Sequence, residues 1–170
     1  MAKNCVVIRD LPSQNAVDYR FGVMEEAAIQ NGHVVALDTL KEHDLWTAEA
    51  ATDAANLWLV TGVELMYQES PRKHLWDYTN EKGEAFRCER VLAGGTYSIS
   101  TEGLTIATEE TDLVDGAAVI FESGETKLTV AATASGTVVG KVIEVYTKAG
   151  MKFAAIEFYK AAVTVEAAND

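Results

Sequence analysis

The second half of the chain is a series of short β-branched and aromatic runs separated by turns that contain glycine. Helical periodicity is nearly absent after Ala85, and the runs recur at intervals of roughly 8–12 residues, which is typical of barrels and sandwiches. The runs are RCERVLA, TYSIS, LTIAT, AAVIFES, KLTVAA, TVVGKVIEVY and KFAAIEFY. The sequence therefore predicts a mainly β fold: a small antiparallel β-barrel or sandwich with an extended N-terminal arm and a few short helical turns.

In residues 17–23, apolar side chains alternate with Asp18, Arg20 and Gly22. This period of two places the apolar side chains on one face of a strand. A helix over residues 16–32 is the competing interpretation, and the strand is preferred because the alternation is strict. The apolar positions are Val17, Tyr19, Phe21 and Val23.

Other segments of the N-terminal half have weaker patterns. GHVVALDTL, residues 32–40, predicts a compact strand, and LWLVTGVELMY, residues 57–67, predicts a strand that is bent at Gly62. MEEAAIQ predicts one helical turn, and Thr47 is a candidate cap for a short helix in the alanine-rich segment that follows it.

A polar excursion at residues 68–84 is the natural boundary within the chain, and it carries Trp76 and Tyr78. We predict an N-terminal arm or edge segment at residues 1–31 and a β-rich domain at residues 32–170 that contains this excursion. A single fold with an inserted loop accounts for the pattern equally well.

The charge of the chain excludes several classes of partner. Lys and Arg number 14 against 26 Asp and Glu, so the formal net charge is −12. An acidic surface repels phosphate, which argues against nucleic acid and against anionic membranes as partners. The first residues lack the long apolar run of a signal peptide, and we expect synthesis in a reducing cytoplasm.

The histidines and cysteines do not form a recognisable catalytic or metal motif. His33, His43 and His74 have no second ligand at a metal-binding spacing. Cys5 and Cys88 are too few for a disulfide framework and are interpreted as small buried apolar residues. We therefore expect no cofactor, no metal and no enzymatic activity.

Clustered acids and glycines are interpreted as turns. In TEETDLVDG, Asp115 and Gly116 suit a turn that needs a positive dihedral angle, and Asp112 can bond to a neighbouring backbone amide. LAGGTYS lacks the lysine and the following helix of a phosphate-binding loop.

The order of these patterns is similar to that of a known family. NGHVVALDTL, then LWLVTGVELMY, then an acidic turn, a strand of the form G-x-V-V-G-K-V and a closing glycine hairpin resemble the head decoration, or cement, proteins of tailed bacteriophages. The resemblance covers roughly the last two-thirds of the chain and, more loosely, residues 32–67. Residues 1–30 and the excursion at 68–84 depart from the simplest members.

The resemblance implies a structural virion protein. It would bind the outer surface of an icosahedral phage capsid, often as a trimer, and stabilise the capsid by bridging subunits of the major capsid protein. Weak contacts with several subunits would act together.

Two sets of residues are candidates for this interface. The strand at Val17, Tyr19, Phe21 and Val23 would add to the edge of a shell or neighbouring sheet, or would line the core of this chain instead. Trp76 and Tyr78 would face outward, or would fold back onto their own loop. Two other functions are alternatives: a lectin-like or host-attachment module displayed on the virion, and a small glycan hydrolase.

Overall fold

A computed structural model describes residues 6–8, 19–62, 79–91 and 94–166. These residues form fourteen strands and two short 3-10 turns, at Ala54–Asn56 and Thr101–Gly103. The predicted mainly β fold with a barrel is confirmed.

Five strands close into a barrel. All neighbouring pairs in it are antiparallel except β2 (Tyr19–Val23) and β5 (Leu45–Glu49), which run parallel. In order around the barrel the strands are β2 (Tyr19–Val23), β5 (Leu45–Glu49), β4 (Val34–Glu42), β6 (Trp58–Val60) and β8 (Ala85–Arg90).

Seven further strands form an open sheet. Neighbouring strands within this sheet are antiparallel, except that β10 (Leu104–Ile106) and β12 (Leu128–Ala131) are parallel. From one edge to the other the strands are β1 (Val6–Ile8), β9 (Thr96–Ser100), β14 (Met151–Val165), β13 (Gly136–Lys148), β11 (Ala118–Phe121), β12 (Leu128–Ala131) and β10 (Leu104–Ile106).

A two-stranded sheet pairs β3 (Ile29–Gln30) with β7 (Thr79–Asn80). The Asn80 side chain donates from Nδ2 to the carbonyl oxygen of Ile29 at 3.0 Å. This buried contact joins residues that are 51 positions apart, so it is part of the tertiary structure rather than of a local turn.

The main hydrophobic core lies between the barrel and the sheet. Val34 and Leu59 of the barrel pack in one cluster with Ile99, Val130 and Ile156 of the sheet, and all five side chains are fully buried. Burying apolar surface between two layers is the dominant source of stability in such folds.

A second cluster fills the barrel, and it includes Leu37, Val60, Phe86 and Cys88. Gly22 lies against this filling. A Cβ there would come within 3.0 Å of the Phe86 ring and 3.1 Å of a Leu37 methyl group. Only glycine therefore lets β2 approach the interior at this point.

The strand predictions after residue 85 are confirmed, since each of the seven predicted runs contains one strand, from β8 to β14. The predicted strand at 32–40 is also present, as β4. The strand predicted from residue 57 is β6, and the part of that run from residue 63 onward lies outside the described residues.

The helical turn predicted for MEEAAIQ is wrong. Residues 25–27 form a bend, and Ile29, which is buried, starts β3. The side chain of Glu25 forms an ion pair with Lys41 of β4. Burial and pairing with distant residues override the local helix propensity of this segment.

The helix predicted after Thr47 is wrong as well. Thr47 lies in β5, and its hydroxyl accepts a hydrogen bond from the Thr39 amide at 3.0 Å. Helical geometry appears later, in the single turn at Ala54–Asn56, where Asp53 Oδ1 accepts from the Ala55 amide at 2.9 Å. Aspartate is a preferred residue at such a cap.

The barrel is inserted between two adjacent strands of the sheet. β1 pairs with β9, and all five barrel strands come between them in the chain. The boundaries predicted at residues 31 and 68–84 stay predictions. β2 precedes the first of these boundaries and β8 follows the second, and the two strands pair with each other inside the barrel.

Candidate functional site

The strand predicted to add to another sheet is paired on both sides within this chain. Tyr19–Val23 pairs with β8 along one edge and with β5 along the other. Strand addition needs an unpaired edge, so this strand does not offer that mode of binding. Of its predicted interface residues, Tyr19 is 42% exposed, Phe21 is partly buried and Val23 is only 2% exposed.

The remaining predicted interface residues, Val17, Trp76 and Tyr78, lie outside the described residues. The proposed roles of these three side chains therefore stay predictions.

Tyr19 is held by its neighbours although it is exposed. Its ring meets Phe21 edge-to-face, with centroids 6.0 Å apart, and the Arg87 guanidinium lies 4.9 Å from its centroid. Arg87 in turn forms a 3.0 Å ion pair with the buried carboxylate of Glu89. A rigid exposed aromatic ring of this kind suits a contact with another protein.

Arg20 was not singled out from the sequence, yet it packs against two of the three tryptophans. Its guanidinium lies 4.2 Å from the Trp46 ring centroid and 5.2 Å from that of Trp58. Trp58 is buried, and its Nε1 donates to Asn56 Oδ1 at 2.9 Å. Such cation–π contacts stabilise the end of the barrel.

The face of the sheet that points away from the barrel carries a separate apolar patch. Ala118, Ile120 and Val138 are buried in it, and Val163, which pairs with Val138, is 50% exposed. We call this surface the outer patch. Its partly buried members are Ala131, Ala134, Tyr159 and Val165.

The strand that carries much of the outer patch extends beyond its neighbour. The pairing of β14 with β9 ends at Glu157, and the Phe158 amide donates to the Gly95 carbonyl at 3.0 Å. Past this point, β14 pairs only with β13 among the described strands. The part of β14 that follows Phe158 therefore presents an open edge next to an apolar face.

A cleft of about 560 Å³ opens where the barrel meets the sheet. Residues 52–55 form one wall, and the other wall is formed by four residues of β14: Lys160, Ala161, Ala162 and Thr164. Phe121 and Ser123 line it between these walls, and Arg90, the last residue of β8, projects from the barrel side.

His33 lies immediately before β4 rather than inside the strand that was predicted to contain it. Its Nδ1 is 3.2 Å from the Thr126 hydroxyl. Burial, with a smaller contribution from the nearby charge of Lys127, lowers the pKa of His33 to about 4. The imidazole is therefore neutral at physiological pH.

Cys88 is buried and free, as predicted. Its Sγ donates to the carbonyl oxygen of Arg20 at 3.3 Å. Burial raises the pKa of the thiol to about 12. A thiol that stays protonated is a poor nucleophile, so Cys88 contributes to packing. Cys5 lies outside the described residues.

The acidic segment forms a turn, as the sequence indicated. Gly116 has a positive φ of 88°. The Asp112 carboxylate accepts from the Thr108 amide at 2.9 Å, and that of Asp115 accepts from the Val145 amide at 3.1 Å. These carboxylates are occupied by backbone donors. Across the described ranges, no three His, Cys, Asp or Glu side chains are grouped so as to hold a metal ion.

Comparisons with protein-family models, with curated proteins and with solved structures gave no match. Within the described residues, no helix has the length and apolar character required to cross a membrane.

Proposed function

We propose that this protein is a structural component of a phage virion that binds the outer surface of the icosahedral capsid and bridges subunits of the major capsid protein. The proposal includes a trimeric arrangement on the capsid, assembly in the host cytoplasm, and no enzymatic activity, cofactor, nucleic acid or membrane partner. It starts from the resemblance of the strand-and-turn pattern to decoration proteins.

The observation that carries the proposal is the outer patch beside the open edge of β14. Val163 exposes half of its surface there, and Tyr159 and Val165 are partly exposed next to it. An apolar centre with a neighbouring backbone edge provides both burial and hydrogen bonds to a partner. Several such footprints within one trimer would give strong retention even when each contact is weak.

The experiment is a sedimentation assay with purified capsids that lack this protein. We expect the wild-type protein to sediment with the capsids and to reach saturation. We expect V163D to bind at least about 10-fold more weakly, because a charge in the centre of an apolar contact is costly to desolvate.

Leu40 provides the matched control, since it is also 50% exposed but lies on the barrel. L40D should bind capsids as the wild type does. Failure of the wild-type protein to sediment with capsids would overturn the proposed function. Equal binding by V163D and the wild type would show that the outer patch is not the surface that contacts the capsid.

A further inference from the structure

Two positively charged side chains line the cleft between the barrel and the sheet without taking part in an ion pair within the described fold. Arg90 and Lys160 are both exposed and line the cleft, and neither forms an ion pair with another described residue. By contrast, Lys41, Lys141 and Lys152 are each paired with a glutamate.

Among the described residues that line the cleft, Asp53 carries the single carboxylate, and this group is already engaged. Asp53 Oδ1 accepts from the Ala55 amide and caps the short 3-10 turn of the wall. Arg90 and Lys160 therefore give the cleft a net positive charge in a chain whose formal net charge is −12. A local positive site of this kind attracts anionic groups that the rest of the surface repels.

Lys160 is placed in the cleft by an irregularity of β14. Between the pairs Val163↔Val138 and Phe158↔Gly140, four residues of β14 stand opposite one residue of β13. Such bulges redirect side chains and are frequent next to binding sites. Lys160 lies within the bulge.

A glycine makes room for the stem of this lysine. Gly94 has a φ of 83°, and a Cβ at this position would come within 3.0 Å of Lys160 Cγ. The side chain of Lys160 is thus packed along the backbone at Gly94, which limits its rotamers. A lysine that is partly ordered in advance loses less entropy when it binds an anion.

The remaining lining combines apolar and hydroxyl groups. Phe121 and Ala162 contribute apolar surface, and Thr137 and Thr164, a cross-strand pair, contribute hydroxyls. Mixed linings with a few polar groups are typical of ligand-binding clefts, and an unpaired strand edge beside such a cleft is able to bind an extended peptide. The open edge of β14 adjoins the same wall.

We propose that this cleft binds an extended peptide segment of a partner protein that carries carboxylate side chains, with Arg90 and Lys160 as the charge contacts. The proposal does not depend on capsid binding, and it uses the opposite face of β14 from the outer patch. It gives an acidic protein a specific way to hold acidic partners.

The test uses the full chain and a fluorescently labelled peptide, acetyl-Glu-Ala-Glu-Ala-Glu-amide, with the Gln-for-Glu peptide as the uncharged match. We expect saturable binding of the Glu peptide, binding at least about 10-fold weaker for the Gln peptide, and a similar loss for the R90Q/K160Q variant at low ionic strength. T164K adds a cation to the cleft and should tighten the binding of the Glu peptide.

The control variant is K82Q/K148Q, which removes the same charge from a turn and from the end of β13, neither of which lines the cleft. It should bind the Glu peptide as the wild type does. Equal losses in the control and cleft variants would overturn the proposal, as would the absence of saturable binding. If inorganic phosphate displaced the peptide at equal concentration, the cleft would be a site for simple anions, and the proposed peptide site would be wrong.

Discussion

The hydroxyl of Tyr97 donates to the buried carboxylate of Glu89 at 2.7 Å, and this bond joins β9 of the sheet to β8 of the barrel. Both residues are only 2% exposed. The bond therefore lies at the junction of the two parts of the fold, where water does not replace a lost donor.

We expect Y97F to lower the free energy of unfolding by about 1–3 kcal/mol, because it leaves the buried Glu89 oxygen without this donor. Urea denaturation followed by circular dichroism measures the change. Y19F removes a tyrosine hydroxyl from an exposed ring and should change the stability by less than about 0.5 kcal/mol. A Y97F protein as stable as the wild type would show that the bond contributes nothing to the junction.

The stability of the protein should depend on pH through His33. The pKa of this histidine falls from 6.5 to about 4 on folding, so below pH 6.5 the unfolded chain takes up a proton that the folded protein does not. Stability attributable to His33 is therefore lost as the pH falls from about 6.5 towards 4, by an amount on the order of 3 kcal/mol.

The measurement compares the free energy of unfolding of wild type and H33Q at pH 7.0 and 5.0. We expect a smaller pH dependence in H33Q than in the wild type. H43N alters a histidine in an exposed turn and should keep the wild-type dependence. Identical pH profiles for wild type and H33Q would contradict the assignment.

The Cys88 thiol should be inert in the folded protein. In a C5S background, we expect a thiol-specific disulfide reagent to modify Cys88 rapidly in urea and at least about 100-fold more slowly under native conditions, since reaction requires opening of the barrel. C5S/V163C places a thiol at an exposed position as the control and should react rapidly at that site. Equal rates in the native and denatured states would show that the barrel is open to solvent.

Gly140 should not tolerate a side chain. A Cβ there would lie 2.7 Å from the carbonyl oxygen of Glu157 and 3.2 Å from Phe158 Cα, both in the backbone of β14. We expect G140A to destabilise the protein by about 1–3 kcal/mol, because two long paired strands would have to separate locally.

G150N provides the comparison for that substitution. Gly150 has a φ of 77° and no neighbour within 4 Å of a Cβ, and asparagine adopts this conformation more readily than other residues. We expect a cost below about 1 kcal/mol for G150N. Thermal unfolding of both variants shows whether the destabilisation by G140A comes from the close approach of the β14 backbone or from the loss of glycine itself.

The strands of the second half were predictable because their signals are local. Short runs of β-branched and aromatic residues, with glycine turns between them, were enough to place β8 to β14. The long hairpin is an example: Ala149 and Gly150 both adopt positive φ in the turn that joins β13 to β14.

The partners of the strands were not predictable in the same way. Alternation from Tyr19 to Val23 identified a strand correctly, but only the pairing with β5 and β8 shows that its edges are closed. Such contacts join residues far apart in the chain, and nothing in a seven-residue pattern encodes them. Arg20 was overlooked for a related reason, since its contact with Trp46 exists only after the barrel has closed.

The two cations of the cleft illustrate the same limit. Neither Arg90 nor Lys160 belongs to a motif, and 70 residues separate them in the sequence. A glycine-rich segment before β9 was interpreted as a turn, and Gly94 does have a positive φ. Its role in accommodating Lys160 depends on a bulge that the sequence of β14 alone does not indicate.

Because the barrel is inserted between β1 and β9, it is a segment of the chain that protein engineering can replace as a unit. Ile8 stands opposite Tyr97 across the β1–β9 pair, so the two ends of the intervening segment leave the sheet side by side. Another domain with adjoining termini can be grafted at this junction, provided that it supplies apolar cover equivalent to Val34 and Leu59.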